Sequence, residues 1–283
     1  MNGFHFAKAF KLPVKKSLDG GEITVNSNFI PRGGGILLCL LLCLILAGIP
    51  GDSAPFSTIS RSLLAQGTDM ETELVTLKGS SPGPSLVVVG GLHRDETAGW
   101  EAADRLKHTA RIKAGTLYIL SPANVYGAKH DVRYTAENWD LNRLFPGNPQ
   151  GDPSEQLAAE LWALIEREQP VLVVDLHEAL PEQKNWDYLG SSIIVTKMDG
   201  IEDLVDTILS DTAAGTLCSE PYNFYGPGMP GSINRTVSEK LNLSTLTIET
   251  FRGYPLERRV GDHLALIHFI LNWYGMEEKE GPR

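Results

Sequence analysis

At 283 residues, 42% hydrophobic and 21% charged, the chain carries enough apolar material for one large domain or two small ones and needs no disulfide scaffold. Its formal net charge of −10 argues against general nucleic-acid binding, which calls for a basic face. The cysteines Cys39, Cys43 and Cys218 form no Cys-x-x-Cys pair, and two of them share one apolar run. This excludes a zinc ribbon and leaves no internal disulfide for the rest of the chain. Cys218 has no signature of a nucleophile around it and reads as a buried or incidental thiol.

The apolar run is Ile36 to Ile49, 14 residues without a charge. It is shorter than the roughly 20 residues a spanning helix needs and suits the apolar region of an export signal, followed by GIPGDSAP. Lys8, Lys11, Lys15, Lys16 and Arg32 outnumber Asp19 and Glu22 ahead of it. The lead is longer than usual for a cleaved signal, so an uncleaved membrane anchor stands beside that reading, and a buried core element is the plain alternative. The expectation is an N-terminal segment over 1–53 that engages the membrane or is removed, and one folded domain over 54–283. That domain would work outside the cytoplasm, periplasmic or secreted. Without its first 50 residues the chain keeps 20 basic and 33 acidic side chains.

Residues 51 to about 70 read as a linker. SLVVVGG (85–91) is a short apolar run closed by glycines, a buried strand. ETAGWEAADRLKH (96–108) has helical spacing, with Ala98, Ala102 and Leu106 on one face. TLYILS (116–121) predicts a second strand, and SEQLAAELWALIEREQ (154–169) a helix with Ser154 as its N-cap. VLVVDLH (171–177) and SSIIVT (191–196) are further strands, with a helix over GIEDLVDTILSDTAA. PYNFYGPGMPGS (221–232) reads as a loop, STLTIET (244–250) as a strand, and LERRVGDHLALIHFILNWYG (256–275) as a closing amphipathic helix. Strands alternating with helices predict a three-layer α/β/α sandwich around a mostly parallel mixed sheet.

Two groups of candidate ligands stand at strand ends, where α/β folds place their sites. His93 and Glu96, three residues apart after SLVVVGG, can turn toward one ion. The plain alternative is a helix start with a favourable first-turn glutamate. His177 ends VLVVDLH in an equivalent place, where a core-edge histidine bonded to a backbone carbonyl is the alternative. Two histidines and one glutamate with a free fourth position make a catalytic zinc set. Glu249, an acid within the apolar alternation of LTIET, is costly there without a role or partner. A general base fits, and a salt bridge to Arg252 is the alternative. Arg133, Asn142 and Arg143 in RYTAENWDLNRLFPG could bind an anionic substrate end through forked hydrogen bonds, or could be solvated loop groups.

GGLHRDE, DLNRLFPG, DLHE and TIET, in that order, resemble the zinc carboxypeptidase superfamily, which includes the succinylglutamate desuccinylase/aspartoacylase branch. The resemblance runs from about Leu74 to the C-terminus. It implies one zinc ion per chain held by His93, Glu96 and His177, with Glu249 as general base. It implies that Arg133 polarises the scissile carbonyl, that Asn142 and Arg143 clamp the substrate carboxylate, and that Asp140 orients a zinc-ligating histidine. Tyr225 is the nearest counterpart of the carboxypeptidases' mobile tyrosine, with Tyr222 also available. Ile233, in GSINRTVSEKLNLSTLTIET, would floor an apolar side-chain pocket.

Within the superfamily two readings compete. Only 34 residues follow Glu249, whereas the aspartoacylase branch continues into a β-rich domain that narrows the entrance. The expectation is an open cleft and a carboxypeptidase acting on short, possibly cell-wall, peptides. The wording of HRDETAGW and DLNRLFPG favours instead a deacylase of N-acyl amino acids. A binding protein without activity is the third reading, set against the retention of all three ligands and the base.

Overall fold

The computed structural model describes residues 58–180 and 189–277, all within one compact unit, Ser53–Arg283. The apolar run 36–49 lies outside the described residues. Among the described residues no helix is long and apolar enough to cross a membrane.

Eight strands form one mixed sheet: β1 (Thr58–Leu64), β2 (Thr72–Lys78), β3 (Ser81–Gly90), β4 (Ala114–Leu120), β5 (Leu172–Ala179), β6 (Ser192–Ile194), β7 (Asn223–Tyr225) and β8 (Thr245–Phe251). Their spatial order is β1-β2-β4-β3-β5-β8-β6-β7. The middle of the sheet is parallel, with β4, β3, β5 and β8 running together, while β2 and β6 join it antiparallel. The helices are α1 (Thr97–Thr109), α2 (Val125–His130), α3 (Pro153–Glu168), α4 (Glu202–Ala213), α5 (Ile233–Leu241) and α6 (Leu256–Trp273).

The central strands bury both faces, which is why they read as unbroken apolar runs. Leu86 and Val88 of β3 pack with Leu106 of α1, Leu204 of α4 and Ile267 of α6. Val87 and Val89 point the other way, into a layer with Leu157 and Leu161 of α3 and Val237 of α5. Period-two alternation thus sends one strand into two cores, and the result is the three-layer sandwich.

The chain leaves β3 for β4 on one side and returns to β5 on the other. The carboxyl ends of β3 and β5 therefore border a crevice at a topological switch point, where open α/β sheets bind ligands. Register brings the key positions level: Gly90 pairs with Leu176, and His177 with Glu249. Helix α1 then crosses β5 at backbone contact. A Cβ on Gly99 would stand 2.5 Å from the carbonyl oxygen of Leu176, and one on Gly90 would stand 2.7 Å from the carbonyl oxygen of Gly99.

Several elements differ from their sequence readings. The stretch taken as a linker holds β1, an edge strand exposed on both faces until Leu64. Helix α3 is capped by Asp152, not Ser154: Asp152 and Glu155 form a reciprocal capping box with Pro153 in the first turn, and Pro at that position is favoured because its missing N–H is not needed there. The loop 221–232 contains the three-residue strand β7. Helix α5 carries buried Asn234, Thr236 and Ser238 among its core positions, so few of its buried residues are apolar.

The contact of α1 on β5 yields a test. Gly99→Ala is expected to destabilise the fold by about 1–3 kcal/mol, the usual cost of overpacking a close contact. Chemical denaturation measures it, and an unchanged midpoint would contradict the helix placement.

Candidate metal centre

Glu96 occupies the N-cap position of α1, yet its carboxylate caps nothing. The helix start is satisfied from another strand, where Glu178 of β5 accepts the Ala98 N–H at 3.0 Å. Glu96 is drawn instead to the two histidines: its Oε1 lies 2.9 Å from Nδ1 of His93, and its Oε2 lies 2.6 Å from Nδ1 of His177. The Glu178 N–H also donates to Oε2 at 3.2 Å. The two imidazoles meet edge to face with centroids 4.9 Å apart. Each of the three residues offers a ligand atom within 4.8 Å of the other two, and all three are buried.

The far nitrogen of each ring is anchored by a carboxylate. Nε2 of His93 lies 2.8 Å from Oδ1 of Asp140, and Nε2 of His177 lies 2.7 Å from Oδ2 of Asp175. A carboxylate on the outer nitrogen fixes tautomer and ring orientation, the usual support of a metal-ligating histidine. Two imidazole nitrogens and one carboxylate, each ring held so that Nδ1 faces a common point, fit a zinc ion by donor type.

The electrostatics follow from burial. Desolvation alone would lower both histidines, but Glu96 with Asp140 lifts His93 and Asp175 with Glu96 lifts His177 well above the ordinary imidazole value. Burial would raise Glu96, and the two histidines override it and hold its carboxyl well below the usual range. Asp140 resists burial in the same way and is held at about 2 by its bond to His93 and by the charges of His93, Arg143 and Arg133. Glu249 is pushed up to about 7, first by burial, and the charges of Glu96 and Asp175 add to it against the opposing pull of His177 and His93. Glu249 is thus poised near neutrality.

A cavity of about 440 Å³ opens over this group and is lined by His93, Glu96 and His177 together with Arg133, Arg143 and Glu249. Arg133 reaches in from the loop after α2. It donates to Oε1 of Glu96 at 2.8 Å and to Asp95 at 3.3 Å, with its other terminal nitrogen 3.3 Å from Nε2 of His93. Asp95 accepts in turn from Arg252 at 3.2 Å, so Arg252 pairs with Asp95 and not with Glu249. Arg143 stands exposed on the wall, its guanidinium donating at 2.7 Å to the backbone carbonyl of Asn142.

Three expected substrate contacts are placed differently. Asn142 contributes to the cavity wall, but its amide is engaged inside the protein. Its Nδ2 donates to Asp175 at 3.2 Å and its Oδ1 accepts the Ile233 N–H at 2.9 Å. Ile233 is fully buried in the core with Leu141 and Leu157 and does not floor the cavity. As the first residue of α5, after the cap Ser232, it turns under the helix, and Ser232 and Asn234 form the wall there. Tyr225 is on the exposed strand β7 and is not among the residues lining the cavity, while Tyr222 is packed in the core.

Other members of the site carried signals that the sequence reading passed over. Asp175 lies two residues before His177, hence on the same face of β5. Asp95 sits beside a ligand and between two arginines. Asn234 is buried and saturated, bonded to Thr247 and to the backbone carbonyl of Ile194, each at 3.0 Å.

A family model described as the Succinylglutamate desuccinylase/Aspartoacylase catalytic domain matches residues 82–204. No curated protein matches the chain. Among solved structures, a succinylglutamate desuccinylase/aspartoacylase from Rhodobacter sphaeroides is similar at TM-score 0.58 and 22% identity, over 82% of this chain and 69% of that one. The product-bound ectoine utilisation protein EutE (DoeB) from Ruegeria pomeroyi is similar at TM-score 0.62 and 21% identity, over 83% and 72%. The product-bound cell shape determinant protein Csd4 from Helicobacter pylori is similar at TM-score 0.59 and 17% identity, over 75% of this chain and 57% of that one. These likenesses establish the fold. The matched segment contains His93, Glu96 and His177, so the part of the chain that carries the candidate metal ligands is the part similar to the succinylglutamate desuccinylase/aspartoacylase catalytic domain.

Proposed function

We propose that the chain is a zinc-dependent carboxypeptidase that removes the C-terminal residue of short peptides, working outside the cytoplasm. The observation that carries the metal reading is the convergence of two Nδ1 atoms on one carboxylate, with both rings anchored from behind. When bound at His93, Glu96 and His177, the ion supplies Lewis acidity toward a carbonyl oxygen and toward water.

The chain's own groups supply the remainder. Glu249, level with His177 on the neighbouring strand, takes a proton from the attacking water on its carboxylate and returns it to the leaving nitrogen. Arg133 donates to the carbonyl oxygen as negative charge grows there, a contribution of the order of 3 kcal/mol for such a donor. Arg143 forks onto the substrate's terminal carboxylate.

Peptides are favoured by the cavity's upper wall, where Leu180, Leu189 and Met229 offer apolar surface beyond the charged centre. Leu180 and Met229 are exposed, so a residue upstream of the scissile bond has something to lie against. Csd4 has been solved with a tripeptide bound, which supports the same choice. Deacylation of N-acyl amino acids is the second reading, and the family model over residues 82–204 favours it. The apolar run 36–49 supports export, with cell-wall peptides as the substrates within reach there.

His93→Ala or His177→Ala is expected to abolish stoichiometric zinc, measured by elemental analysis after dialysis. One tightly held zinc in either variant would rule out this ligand set. Because both histidines are raised above their usual value, the metal displaces protons, so zinc affinity is expected to rise with pH from about 6 to 8. Calorimetry in buffers of different ionisation enthalpy reads the release directly. No buffer dependence would contradict it.

Glu249→Gln is expected to keep zinc and to lose turnover by roughly two or more orders of magnitude. In the wild type kcat/KM should climb with pH as Glu249 ionises. A cation in the site favours the carboxylate, which places this acid limb below the value of about 7 that burial sets. A Glu249→Gln variant as fast as wild type would remove Glu249 from the reaction.

Arg143→Ala is expected to weaken free-acid substrates by roughly 10-fold or more while sparing their C-terminal amides. Equal losses on both would deny the carboxylate contact. A panel of short peptides beside N-acyl amino acids decides the branch. Release of C-terminal residues supports the peptidase, and turnover of acyl amino acids alone moves the chain to the deacylases.

A further inference from the structure

Strand β6 joins the sheet antiparallel to β8, and its register sets Ser192 directly opposite Glu249. Residues opposed in this way send their side chains to one face, with Cβ atoms about 4.5–5.5 Å apart. That face is the one that carries the site. Ile193 and Ile248 pair on the other face, in the core that holds α1 and α6, while Ile194 and Thr247 pair on this one and line the cavity. On its far side Glu249 is level with His177. Glu249 thus has an imidazole of β5 at one flank and a serine hydroxyl of β6 at the other.

The neighbouring hydroxyls are taken. Thr247 accepts from the Asn234 amide at 3.0 Å, and Thr245 donates to the Asn234 backbone carbonyl at 3.0 Å. Ser191, which alternation turns to the opposite face, accepts the Phe251 N–H at 3.0 Å. Ser192 differs: it is fully buried, and its Oγ has no partner. A hydroxyl out of water is normally bonded, so an orphaned one calls for a reason. Glu249 is the complementary case, a largely buried carboxylate with no hydrogen bond among the described residues. A donor without an acceptor and an acceptor without a donor face each other across one pair of strands.

We propose that Ser192 is a positioning residue for Glu249: its Oγ–H donates to the inner carboxylate oxygen and leaves the outer oxygen to face water in the cavity. This rests on the reading of Glu249 as the base. A turn about the side-chain bonds of the two residues closes the contact, and a hydrogen bond to an ionised group is of the strong kind. The proton taken from water then rides on the outer oxygen, from which the leaving nitrogen receives it. Ser192 keeps its own hydrogen throughout.

The test compares Ser192→Ala with Ser191→Ala in the full chain, with its glutamates labelled with ¹³C at the carboxyl carbon. The Glu249 resonance, identified by its loss in Glu249→Gln, is expected to move at alkaline pH in Ser192→Ala and to stay in Ser191→Ala. For a substrate the wild type cleaves, Ser192→Ala should lower kcat roughly 10-fold with KM within about twofold, at unchanged zinc content. In the Glu249→Gln background the same change should cost nothing further, within about twofold. Ser192→Ala deletes a single buried oxygen, and a denaturation midpoint close to wild type is expected, so the loss reads the contact and not the fold. An unmoved Glu249 resonance, an equal shift in Ser191→Ala, a wild-type kcat, or an equal loss in both backgrounds would each overturn the assignment. A wild-type chain without turnover would count against the hydrolase reading alone, since the carboxyl resonance reports the Ser192 contact without a reaction.

Discussion

The site is organised around the carboxylate of Glu96, one oxygen turned to each histidine. Its position is set by α1, and α1 is set by its backbone contact with β5 at Gly99. A helix start would ordinarily keep such a carboxylate for its own N–H groups. Here Glu178 from the adjacent strand takes over that duty at Ala98, which releases Glu96 to the centre. Glu178 is itself ion-paired with Arg259 of α6, so a helix on one layer stabilises the group that frees the ligand.

Charge is balanced in rings around this point. His93 and His177 lean on Asp140 and Asp175, Arg133 leans on Glu96 and Asp95, and Arg252 holds Asp95. Each of these groups has an opposite neighbour, which is the condition for keeping ionised groups out of water. Glu249 stands apart, with no ion pair among the described residues and a pKa raised by burial. A group left to burial in this way can exchange protons near neutral pH, as a base must.

The central strands and the ligand set were legible because they depend on local pattern. β3, β5 and β8 are apolar runs in which a polar residue at the end stands out, and those residues are the ligands and Glu249. The edge of the sheet was not legible. TISRSLL alternates no apolar face toward a core, since β1 is exposed on both sides, and the register with β2 that makes it a strand is a tertiary fact. Helix α5 hid because three of its five buried positions are polar, with Asn234 bonded to Thr247 and Ser238 to Thr245 on β8. Ile233 and Asn142 sit deeper than their neighbours for one shared reason. Their roles came from the resemblance, which carries no account of how the start of a helix and a 3-10 turn rotate successive side chains away from one another.

The order of strands carries a kinetic consequence. Glu96 and His177 meet across 81 residues of sequence, and Glu249 arrives from a later strand still. Parallel pairing of β3, β5 and β8 must close these long loops before His177 or Glu249 can reach the local pair His93 and Glu96, and such closure is the slow part of folding in sheets of this kind. An ion therefore has only the local pair His93 and Glu96 to grip in the early chain, and the complete ligand set waits for β5. Three-ligand binding needs a sheet that is already assembled, so its effect falls on the rate of escape from the folded state more than on the rate of reaching it.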